Sequence, residues 1–88
     1  MGKIEKTLRS VVSGTSDANV TFKELYNLLI RLGFAERIRG DHFIFTRPDV
    51  EEILNLQPIG SKAKAYQVKQ VRSIILKYKL GESDVNKI

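Results

Sequence analysis

At Gly33 the spacing of apolar residues changes, and that change limits what the chain can fold into. Ahead of it, Phe22, Leu25, Tyr26, Leu28, Leu29 and Leu32 recur at intervals of three and four, which is one broad face of a helix. From Phe34 onward the period is two, and His42-Phe43-Ile44-Phe45-Thr46-Arg47 is dense in aromatic and β-branched residues, a strand. A helix that hands directly to a sheet, in 88 residues, leaves room for one modest core and no second domain. A Rossmann dinucleotide-binding half does not fit this length.

The helix carries its own start and stop. Thr21 and Glu24 have capping-box spacing, with Val20 and Leu25 at the staple positions. Gly33 stands where a left-handed cap belongs, with Phe34 placed to fold back on Leu29. After it come a short strand at 35–38, a turn at Arg39-Gly40-Asp41, the strand 42–47, a turn at Pro48-Asp49 and a third strand at 52–57 ended by Pro58. Gaps this short force an antiparallel meander. A basic loop, 59–64, leads into a last helix at 65–79, whose Val68, Val71, Ile74, Ile75 and Tyr78 share one arc. Lys69, Arg72 and Lys79 lie on the other side, with Leu76 among them. An earlier helix, Lys3 to Ser13, has the narrow stripe Ile4, Leu8, Val11 and Val12 and closes at Gly14; the spacing does not say whether it docks on this core or exchanges between protomers. Residues 1–19 therefore read as an N-terminal helix and linker, 20–81 as the domain proper, and 82–88 as a polar tail expected to fray. The fold class is α+β, with two helices on one face of a three-stranded antiparallel sheet and the other face open. Its helix–three strands–helix order is that of double-stranded-RNA-binding domains, and the first helix is an addition to it.

Composition removes whole chemistries. The chain has no cysteine, so disulfides, zinc ribbons and thiol nucleophiles are excluded, and its single histidine excludes a multi-histidine metal site. No apolar run is long enough to span a bilayer, and Met1-Gly2-Lys3-Ile4-Glu5-Lys6 has no signal-peptide pattern, so a cytoplasmic protein is expected. The net charge of +5 is unevenly spread. Residues 53–81 hold Lys62, Lys64, Lys69, Arg72, Lys77 and Lys79 and no acid, a segregation expected of a face that meets phosphate.

The stretch with most chemistry is Arg37-Ile38-Arg39-Gly40-Asp41-His42. A glycine permits a sharp turn, the one imidazole follows two residues later, and guanidinium groups lie close upstream. An imidazole takes or gives a proton near neutral pH, and cations hold a phosphate and stabilise charge building on it. Those parts suffice for attack of a ribose 2′-hydroxyl on its own phosphodiester, with no cofactor and no metal. Alternation leaves open whether Phe43 and Phe45 face the helices or face out, where they would stack on bases or anchor a protein.

The runs Phe22-Lys23-Glu24-Leu25, Leu32-Gly33-Phe34 and Arg39-Gly40-Asp41-His42-Phe43-Ile44-Phe45, with Lys64-Ala65-Tyr66-Gln67-Val68 at the closing helix, resemble the HicA toxins of bacterial HicA–HicB toxin–antitoxin pairs. The resemblance covers roughly 20–81. It implies a ribonuclease of double-stranded-RNA-binding-like fold, an mRNA interferase, neutralised by a HicB-type antitoxin. On this chain His42 takes the catalytic place, positioned by Gly40. Asp41 replaces the usual serine of Gly-Ser-His, setting a carboxylate beside the imidazole where it favours the ring's charged form and repels phosphate. The further histidine that many short members carry after the third strand has no counterpart at Gln57-Pro58. The expected phosphate-holding set is Arg37, Arg39, Lys62 and Lys64, extended by Lys69, Arg72 and Lys79. A second acid–base group is wanted from Asp41, Lys62, Lys64, Tyr66, water or a homodimer partner. The rival expectation is a non-catalytic RNA-binding module of the same fold.

Overall fold

The structure is a computed structural model that describes residues 2–81. The tail expected to fray, 82–88, lies outside the described residues. Along the chain run α1 (Lys3–Ser13), a 3-10 turn (Asp17–Asn19), α2 (Phe22–Arg31), β1 (Ala35–Arg39), β2 (His42–Arg47), β3 (Val50–Leu56) and α3 (Ala65–Tyr78). The class is α+β, and the strands form one antiparallel sheet in the order β1-β2-β3.

The start of α2 is closed as its sequence requires. Thr21 Oγ1 accepts from the Glu24 amide at 3.1 Å, and Glu24 Oε1 accepts from the Thr21 amide at 3.0 Å. At the other end Gly33 takes φ +93°, and the Phe34 amide turns back to the Leu29 carbonyl at 3.1 Å. Phe34 is buried there. The chain therefore leaves α2 already aimed into β1.

Strand bounds differ slightly from the sequence reading. β1 extends to Arg39 because Arg39 pairs with His42. β3 begins at Val50, where an irregularity lets Arg47 pair with Val50 although Phe45 pairs with Leu54. The last helix ends at Tyr78, since Lys79 takes the left-handed φ of 55° and its amide donates to the Ile75 carbonyl.

Alternation on β2 is settled by packing. Phe45 is fully buried, and the Phe43 ring centroid lies 4.9 Å from Phe22 and 6.0 Å from Tyr26. Both phenylalanines face the helices, so neither is offered to bases or to a partner. Leu54 and Leu56 of β3, Leu25, Leu28 and Leu29 of α2, and Val68, Val71, Ile74 and Ile75 of α3 complete the core. Among the described residues, no helix covers the opposite sheet face.

Helix α1 docks on α2 and α3 of its own chain, burying Leu8 and Val11 in the same hydrophobic cluster. An ion pair secures it. Arg72 Nη1 donates to the Asp17 carboxylate at 2.9 and 3.1 Å and to the Val11 carbonyl at 3.2 Å. The helical wheel placed Arg72 with Lys69 and Lys79 as a phosphate contact; the structure separates it from them. Its side chain is only 21% exposed and its charge is taken up by Asp17 and by the carbonyl end of α1. A cation there also meets the negative end of the helix dipole. Among the described residues, no helix is long and apolar enough to cross a membrane.

Candidate active site on the open sheet face

Two strands joined by two residues fix the site. Gly40-Asp41 is the whole β1–β2 loop; Gly40 takes φ +60° while Asp41 stays at negative φ, the pattern of a type II′ hairpin with glycine first. That turn sets His42 directly across from Arg39. Because side chains alternate along a strand, His42 shares its face with Ile44 and Thr46, and cross-strand pairing adds Arg39, Arg37 and Ala35 from β1. From β3, Asn55 pairs with Ile44 and joins the same face. This is the face turned away from Phe43 and Phe45.

The imidazole is held but open. Its side chain is 47% exposed. Nδ1 lies 2.9 Å from Asn55 Oδ1, and Nε2 lies 3.7 Å from Asp41 Oδ1. An amide oxygen only accepts, so Nδ1 is the donor in that bond. In the neutral ring the proton then resides on Nδ1, and Nε2 carries the free lone pair. Nε2 is the atom on which proton transfer can occur.

Asp41 is fixed in turn. Its carboxylate accepts from Gln57 Nε2. With its side-chain amide oriented to satisfy both partners, Gln67, buried in the first turn of α3, grips the Gln57 backbone, donating to its carbonyl at 3.3 Å and accepting from its amide at 3.0 Å. A polar chain therefore runs from α3 through the end of β3 to the hairpin tip beside His42.

The other expected residues are spread out. Arg37 and Arg39 are exposed on the His42 face, and neither makes an ion pair among the described residues. Lys62 sits in the loop after β3, bridged to Thr21 at the start of α2, and Lys64 occupies the N-cap of α3, its ammonium 6.0 Å from the Tyr66 ring. Neither is bonded to the His42 group. Lys69 and Lys79 are exposed on α3 and its cap, within the helical layer that covers the other sheet face. Lys77 pairs with Glu52 at 2.8 Å, and Tyr78 donates to the same carboxylate at 2.6 Å. Those bonds draw the Glu52 pKa down from 4.5 to about 2.

Sequence reasoning missed Asn55 and Gln67. Asn55 lies between Leu54 and Leu56, so alternation alone puts it on the outer face; only the β2–β3 register brings it to His42. Gln67 falls among apolar residues of a buried arc, and nothing in its neighbours marks it as a tether. Comparison of the chain with protein-family models, with curated proteins and with solved structures finds no match in any of the three.

Proposed function

We propose that this protein is a metal-independent endoribonuclease acting on mRNA, a toxin of the HicA type restrained by a HicB-type antitoxin, on a fold like that of double-stranded-RNA-binding domains. One observation supports this reading most. A half-exposed imidazole with its Nδ1 bonded to an amide oxygen stands opposite an arginine that makes no ion pair among the described residues, on the sheet face away from the helices.

The reaction that suits this group is transfer within the RNA chain. His42 Nε2 takes the proton of a ribose 2′-hydroxyl as its oxygen attacks the adjacent phosphorus. The bond to the 5′-oxygen breaks, leaving a 2′,3′-cyclic phosphate and a 5′-hydroxyl. Arg39 and Arg37 hold the phosphoryl oxygens and stabilise the charge that builds on them. One imidazole does not serve both oxygens in a single step. Asp41 is engaged by Gln57, and the departing oxygen draws its proton from water.

The test is RNA cleavage in EDTA by the parent and by His42→Ala, with folding checked in both. Loss of the proton-transfer group lowers the rate by about 10²–10⁴-fold. Equal rates would remove His42 from the mechanism. The Asp41 carboxylate, 3.7 Å from Nε2, is the one feature favouring a non-catalytic RNA-binding module, because it opposes an incoming phosphate. That reading predicts salt-sensitive RNA binding by the parent with no cleavage.

A further inference from the structure

Beside His42 the open sheet face forms a shallow cavity of about 500 Å³, lined by Ala35, Arg37, Arg39, Ile44, Thr46 and Ile53, with Glu36 at the β1 edge. From its place on the face, we infer that this cavity seats an unpaired nucleobase, and that the RNA bound here is single-stranded. The inference rests on the ribonuclease reading only in taking RNA as the ligand.

Three observations carry it. First, the cavity and the imidazole are contiguous: Ile44 follows His42 on the same face, about 7 Å along the strand, and Arg39 lies directly across from His42. A base seated on Ile44 therefore has its sugar and phosphate within reach of the ring. Second, its chemistry is mixed in the way a base requires. Ile44 and the exposed Ile53 give an apolar floor, and the Thr46 hydroxyl donates or accepts. Third, the charge matches a nucleotide. Arg37 and Arg39 stand on this face without an ion pair among the described residues, whereas Arg47, Arg72 and Lys77 are each engaged with a carboxylate. A duplex would hide its bases from a shallow cavity and present only its backbone. Two isoleucines are too little apolar surface to anchor a protein partner, but they match one base.

The probe is a ten-nucleotide 2′-O-methyl oligoribonucleotide, which has no free 2′-hydroxyl and is not cleaved, compared with its blunt duplex in fluorescence anisotropy. The parent should bind the single strand at least tenfold more tightly than the duplex. Ile53→Glu places a carboxylate in the cavity from an exposed position and should weaken single-strand binding at least tenfold. Ile30→Glu, an equally charged change on the exposed surface of α2, should alter it less than twofold. Equal losses in the two variants, or a duplex bound as tightly as the single strand, would overturn the inference. So would sedimentation showing a dimer that Ile53→Glu dissociates, which would assign the face to a second copy. Cleavage assays separate this from the catalytic claim. Turnover retained with Ile53-independent binding sinks the base site alone, and Ile53-dependent binding without turnover by the parent sinks the nuclease alone.

Discussion

The Nδ1–Asn55 bond gives the one histidine a defined tautomer, and under the proposed ribonuclease function this makes Asn55 a positioning residue. Asn55→Ala leaves both strands intact, because its side chain lies on the open face, yet it releases the ring. Cleavage should fall about tenfold, less than for His42→Ala, and the double variant should be no slower than His42→Ala alone. Steady-state rates of the three variants check this; additive losses would separate Asn55 from the histidine. Arg72 acts at the same scale in a structural role. Arg72→Met keeps the unbranched stem of the side chain but leaves Asp17, itself only 14% exposed, without its cation. Charge-assisted bonds of this kind contribute about 1.5–3 kcal/mol, so urea unfolding should show a loss of about 2 kcal/mol. RNA affinity should change little, in contrast to variants of Arg37 or Arg39.

Among the elements, the β1–β2 hairpin decides where His42 and Arg39 stand. A two-residue loop with φ +60° at Gly40 leaves no slack between Arg39 and His42. Among the described residues beyond its two chain neighbours, no heavy atom lies within 4 Å of where a Cβ would sit, so the cost of substitution is conformational rather than steric. Gly40→Val should destabilise by about 1–2 kcal/mol, and it should cut cleavage by more than the lost folded fraction accounts for, because the pair opposite His42 is disturbed. Comparing unfolding curves with rates per folded molecule tests that. The docking of α1 is an element-scale matter too. Leu8 is fully buried against the other helices, and Leu8→Ala should cost about 2–5 kcal/mol, the usual range for a core leucine.

For the whole molecule, sheet and helices are tied at one corner by Glu52, Lys77 and Tyr78. The Glu52 carboxylate is held well below its ordinary value by its bonds to Lys77 and Tyr78. A depressed acid contributes stability that is fully present above the unfolded value of 4.5 and is lost as pH falls toward about 2. The Lys77 ammonium, raised by the Glu52 hydrogen bond, contributes below 10.5 and loses its share as pH rises past that value. Thermal unfolding between pH 5 and pH 2 should therefore show a steeper decline in the parent than in Glu52→Gln, and an unchanged slope would remove this corner from the acid response.

Local chemistry explains why so much of this is legible in the sequence. The Thr21–Glu24 box, the Gly33 cap and the Gly40 turn act through residues at most five positions apart, so α2 and the hairpin that follows it could be read directly. The alternation of β2 also showed that His42 and Ile44 share a face and that the phenylalanines share the other. Which face meets the helices is a matter of packing: Phe22 and Tyr26, some twenty residues upstream, supply the surface that buries Phe43 and Phe45. The same distance in sequence hid the rest. Arg72 found Asp17 and Asn55 found His42 only because the chain folds back on itself, and a cation on a helical wheel carries no sign of whether an acid will arrive to neutralise it. The chain by itself determined its elements, its turns and the presence of one imidazole at the start of β2. Tertiary structure alone decided which charges are left free beside that ring, because pairing depends on contacts between segments far apart in the chain.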